Sequence, residues 1–162
     1  MKKYDLPAAI IAMSASNDWD LARLEWKVSM VERVERADLA EQCLCGHYPI
    51  MELCHIHNDH TNHTAVVGNC CVKKFMGIDL HLVFDGLKRI MRDDTAALND
   101  ATVDYCYSVG VLTDWEYEFC KSIKNKRNLS MKQTNVRRRV NQKVLALMVK
   151  KKPQVNGAQQ AR

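Results

Sequence analysis

Proline and glycine are scarce in this 162-residue chain, with 3 and 6 residues. That excludes collagen-like and Pro/Gly-rich low-complexity architectures. No apolar run approaches the roughly 20 residues a membrane-spanning helix needs, so no membrane role is expected. The start, Met1-Lys2-Lys3-Tyr4-Asp5-Leu6-Pro7, lacks a sustained apolar core, which predicts no signal peptide and a cytoplasmic protein. One sign of charge is also missing from one end. Residues 121–162 contain 13 Lys and Arg and no Asp or Glu. The first 120 residues hold the other 11 basic residues and all 19 acidic ones, a net charge of −8. Such polarity points to a polyanionic partner for the C-terminal part. No glycine-rich phosphate loop and no nucleophile with a partnered base is legible, so an enzyme is not expected.

What the chain does have is a dense cluster of soft ligands. Residues 43–77 hold five of seven cysteines and five of six histidines. An odd cysteine count argues against a disulfide framework, and thiolate with imidazole makes zinc the default ion. Cys43-x-Cys45-Gly46 reads as a tight knuckle, with glycine free to take a positive φ. Strand-like residues run from Pro49 to His57, turn at Asn58–Asn62 and return from His63 to Val67. Gly68-Asn69 then opens a helix through Cys71 that Gly77 stops. Knuckle, hairpin and helix follow in the order of a treble-clef zinc finger. Cys43, Cys45 and Cys71 converge at its open end. Cys54, four residues from Ile50, lies about 13 Å up the strand at roughly 3.3 Å per residue. The expected fourth ligand is His47, with Cys70 as the alternative and Cys106 or Cys120 as remote candidates.

The expected fold class is mostly α with a small β-hairpin, built around that module. Residues 1–42 are predicted as N-terminal helices, including one at 5–13 and one at about 17–36. In the second, Leu21, Leu24, Val28, Val31 and Val34 recur every three or four positions. Residues 43–77 form the zinc module. Residues 78–152 form a helical region: 79–93 with Leu82, Val83, Leu87, Ile90 and Met91 inward, then 100–109 behind the cap Asn99. Capping boxes at Thr113-x-x-Glu116 and Ser130-x-x-Gln133 start the last two helices, a basic hairpin. Residues 153–162 are expected to be disordered.

On that hairpin, Trp115, Phe119 and Ile123 make one apolar stripe and Val136, Val140, Val144 and Leu147 the other. Lys132, Arg137, Arg138, Arg139 and Lys143 are left for the outside, and Lys150, Lys151 and Lys152 add point charge. A basic helix of this kind binds DNA or RNA phosphates. The leading functional expectation is a zinc-stabilised nucleic-acid-binding protein.

The Cys43-x-Cys45-Gly46 and Val67-Gly68-Asn69-x-Cys71 segments resemble a zinc motif of small uncharacterised proteins of phages and bacteria. Trp115–Phe119 and Leu129–Gln133 look like segments of the same kind of protein. The resemblance implies a host-cytoplasmic protein if a phage encodes it. A second expectation is a regulator or inhibitor that binds a host protein. A treble clef bearing histidines also resembles HNH nucleases, and His55, His57, His60 and His63 with Asp59 form a second candidate metal set. The helix after the hairpin, Val72-Lys73-Lys74-Phe75, offers no histidine or carboxylate to complete a nuclease ion.

Overall fold

The computed structural model describes residues 5–150. The predicted tail and the Lys151 and Lys152 contacts lie outside them. About half of the described residues are helical, and among them four strands form one sheet in the order β3-β2-β1-β4. The strands are β1 (Trp26–Val34), β2 (Glu52–Asn58), β3 (Thr64–Gly68) and β4 (Val149–Lys150). The helices are α1 (Leu6–Ala12), α2 (Trp19–Ala22), α3 (Asn69–Met76), α4 (His81–Arg92), α5 (Asp100–Ser108), α6 (Asp114–Ile123) and α7 (Met131–Met148).

The long N-terminal helix expected at 17–36 is replaced by a single helical turn, a 3-10 turn and β1. Trp26, Val28, Val31 and Val34 are aromatic or β-branched, types that fit a pleated surface better than a helix. The helix-like spacing of the valines has two causes. The register with β2 shifts between Val28 and Met30, so Ser29 is an extra residue that keeps Val28 and Val31 on one face. Val34 falls on the opposite face, yet it too is fully buried, because both faces of the sheet are covered there. Leu21 and Leu24, read as part of the stripe, are 60% and 73% exposed.

β1 pairs antiparallel with β2 and, at Arg33 and Val34, parallel with β4. The N-terminal segment, the cysteine-rich segment and the end of α7 therefore share one sheet. A single core runs from Ile10 to Met148 and includes Val31, Ile56, Val67, Phe75, Phe84, Leu87 and Val144. α4 contributes Val83, Leu87 and Ile90 as expected, while Leu82 is exposed. Both capping boxes form. On α6 the expected inward Trp115 is outside, 62% exposed and stacked on Phe119 at 5.3 Å, and Leu147 on α7 is 53% exposed. Asn99 caps α5 by accepting from the Thr102 amide at 2.8 Å.

α4 and α5 approach closely at Gly86. A Cβ there would overlap the Thr102 hydroxyl and lie 2.8 Å from its Cβ. Thr102 is fully buried and donates to Asn99 Oδ1, so it has no room to move. Overpacking of this kind costs about 1–3 kcal/mol. Gly86→Ala is expected to lower the melting temperature by roughly 2–12 °C, at about 2–4 °C per kcal/mol for a chain of this size.

The hairpin tip is fastened to the N-terminal segment through one buried carboxylate. Glu25 accepts hydrogen bonds from the amides of Ala15 and Ser16 at 2.8 and 2.9 Å and from Asn58 Nδ2 at 2.8 Å. Asn58, also buried, accepts from the amides of His60 and Thr61 and so shapes the turn. The Asn58 bond, followed by the main-chain donors, holds the Glu25 carboxyl below the ordinary glutamate value of 4.5. A depressed folded-state value stabilises the fold above the unfolded value, and that contribution is lost as pH falls through the folded one. Glu25→Gln is therefore expected to lower stability at pH 7 and to flatten its acid dependence below about pH 4.5, as read by urea melts across pH.

Candidate metal centre and basic groove

The loop at 40–50 folds over the end of the β2–β3 hairpin. The Glu41 and Ile50 main chains exchange hydrogen bonds, and the Leu44 amide donates to the Val66 carbonyl at 3.0 Å. Gly46, with φ of 90°, closes the knuckle and donates to the Cys43 carbonyl at 2.8 Å. This places Cys43 and Cys45 beside the first turn of α3, which carries Cys71. The three sulfurs lie within 4.8 Å of one another. Four donors around zinc at about 2.3 Å put sulfurs about 3.8 Å apart, so a small contraction would seat the ion. An amide already points at the cluster: Gly68 N–H donates to Cys43 Sγ at 3.2 Å.

The electrostatics suit a cation. Burial pushes the Cys43 and Cys71 thiols up, and for Cys71 the neighbouring Cys45 and Cys43 add to it. Burial also acts on Cys45, but the His47 amide and the other two thiols outweigh it and hold Cys45 below the ordinary thiol value. Three clustered sulfurs cannot all ionise without a positive charge among them. The donor set therefore fits a thiophilic divalent ion.

Cys43, Cys45 and Cys71 are brought together as predicted. His47 and Cys70 border the same cavity, but both are exposed and neither joins the three sulfurs. Cys54 is fully buried among apolar residues, which pushes its thiol up to about 12. Cys106 and Cys120 belong to the helical part and rise to about 12 and about 11 for the same reason. Among the described residues the hairpin histidines gather no metal-ligand group. His55 Nε2 lies 2.9 Å from Glu32 Oε1, and His57 faces Asp59 at 3.6 Å.

The basic residues of α7 mostly serve the fold. Arg137, expected outside, turns inward: its guanidinium donates to the Ile123 carbonyl at the end of α6 and to the Thr95 carbonyl. Arg138 pairs with Asp94 at 3.3 Å, Lys143 with Glu116 at 2.9 Å and Lys150 with Glu41 at 2.8 Å. Lys132 and Arg139 are exposed and have no ion-pair partner among the described residues. The acidic first part of the chain thus neutralises much of the basic end.

A second group of free cations lies in a groove. A polar groove of about 880 Å³ runs between the last turns of α4 and the α6–α7 connection. Lys88, Arg89, Arg92, Lys124, Lys126 and Arg137 line it, against Asp85 and Asp93. Ala96, which borders the groove, is held from behind by Asn141, buried on α7, which donates to the carbonyls of Asp94 and Ala96, each at 2.8 Å. Lys88 is engaged by Glu52 at 2.9 Å and Lys124 by Asp100. Arg89, Arg92 and Lys126 are exposed, with no ion-pair partner among the described residues. Burial, and then the nearby Arg89 charge, hold the Arg137 guanidinium below its ordinary value. Sequence reasoning missed this groove because Arg89 and Arg92 look like ordinary cations at a helix C-terminus.

No protein-family model, curated protein or solved structure matches the chain. No helix of the described residues is long and apolar enough to cross a membrane.

Proposed function

We propose that the chain is a zinc-stabilised nucleic-acid-binding protein, not an enzyme, whose phosphate contacts lie in the groove between α4 and the α6–α7 connection. The observation that carries this is the set of unpaired cations, Arg89, Arg92 and Lys126, on the rim of one concave surface. Forked guanidinium donors match phosphate oxygens, and a groove places several within reach of successive phosphates. Zinc is structural here: the order of knuckle, hairpin and helix supports a treble-clef-like module, and the ion holds its ends together. This suits the small phage or bacterial protein suggested by the motif, acting in a cytoplasm. The test is a salt titration of oligonucleotide binding, single-stranded and duplex, with the wild type and the variant carrying Arg89→Ala, Arg92→Ala and Lys126→Ala. Salt-independent or equal binding by both removes the proposal.

A second reading, a regulator that docks on a host protein, is favoured by one observation. An apolar groove of about 630 Å³ is bordered by Leu24, Ile78 and Val109, which are 73%, 40% and 42% exposed. Such a surface suits a protein partner. Pull-down from nuclease-treated lysate separates the readings, since a stoichiometric protein retained after nuclease favours the second.

A further inference from the structure

Asn69 is the first residue of α3, two positions before Cys71. Its side-chain oxygen Oδ1 is buried and has no hydrogen-bond partner among the described residues. Buried acceptors are normally satisfied, so an orphaned one asks for a missing partner. Asn69 lines the same cavity as Cys43, Cys45 and Cys71. Asn69 and Cys71 leave the helix on different sides, yet both border the cavity at its start, where the Cα–Cβ bonds tilt back toward the N-terminus. The knuckle delivers the other two thiols to that space. Among the described residues no histidine, carboxylate or further cysteine joins the three sulfurs.

We propose that Asn69 Oδ1 is the fourth donor of the metal centre, giving three thiolates and one amide oxygen. This rests on the reading of the three cysteines as a metal site. A neutral oxygen leaves the zinc complex with a charge of about −1, where a fourth thiolate would give −2. Arg33 also lines the cavity: its Nη1 faces Glu52 Oε1 at 3.6 Å, while its buried Nε has no hydrogen-bond partner among the described residues and is left for the thiolate shell. Both orphaned polar atoms of the cavity wall are thereby given a partner, Oδ1 the metal and Nε the thiolate shell.

The test uses the full chain loaded with Co²⁺, read by its absorption spectrum and by the rate of metal release to a chelator. Asn69→Cys is expected to produce a four-thiolate spectrum, with sulfur-to-metal charge transfer about one third stronger, and slower release. Asn69→Leu is expected to alter the ligand-field bands and speed release by about 10- to 100-fold. His47→Ala and Cys70→Ser are expected to change neither. A changed spectrum in His47→Ala or Cys70→Ser, with Asn69→Leu like the wild type, overturns the assignment. Failure of the wild type to bind Co²⁺ at all overturns the metal reading, and the assignment with it.

Discussion

Replacing Cys43 by serine is expected to abolish stoichiometric zinc and to cost more stability than any other single substitution in the cysteine-rich segment. Cys43 is 3% exposed and joins the 40–50 loop to the end of β3 through the Gly68 amide. Structural zinc contributes about 10 kcal/mol or more to the order of its module. If only half of that is felt by the whole 162-residue chain, the melting temperature falls by roughly 10–20 °C, at about 2–4 °C per kcal/mol. Chelation of the wild type should reproduce the loss, and the variant should no longer respond to chelator. Cys70→Ser is the matched control: Cys70 is exposed beside Cys71 and stands outside the cluster. Metal content by mass spectrometry and thermal melts with and without chelator read both effects. A Cys43→Ser protein that keeps one zinc per chain, or melts like the wild type, contradicts the structural role.

The second large effect belongs to the basic groove. Arg89, Arg92 and Lys126 are exposed and have no acidic partner among the described residues, so their removal should leave the fold intact. Each phosphate contact adds about 0.9 to the salt slope on duplex DNA and about 0.7 on a single strand. Loss of three contacts therefore flattens the slope by about 2–3 and weakens binding at low salt by roughly 10- to 100-fold. The outer face of α7 offers the internal comparison. Lys132→Ala with Arg139→Ala removes two exposed cations that lie off the groove, and its effect should be far smaller.

The cysteine spacing alone made Cys43, Cys45 and Cys71 legible, because a knuckle and a helix start at the open end of a hairpin leave little geometric freedom. The two capping boxes and the Asn99 cap were legible for a similar local reason. β1 was not. Its valines repeat like a helix only because Ser29 bulges and both sheet faces are buried, and neither fact is local to the segment. Residue type points to histidine or cysteine as the fourth donor, while the structure exposes His47 and Cys70 and leaves the Asn69 oxygen without a partner among the described residues. The charge polarity of the chain was read as a free basic surface. Part of it is consumed internally, since a one-dimensional count cannot show that Asp94, Glu116 and Glu41 lie opposite Arg138, Lys143 and Lys150.

The most direct measurement is the salt dependence of oligonucleotide affinity for the wild type, the groove variant and the α7 outer-face variant. The account predicts a steep slope for the wild type, a slope smaller by about 2–3 for the groove variant and a nearly unchanged one for the outer-face variant. A wild type that does not bind, or a groove variant with the wild-type slope and affinity, would contradict it.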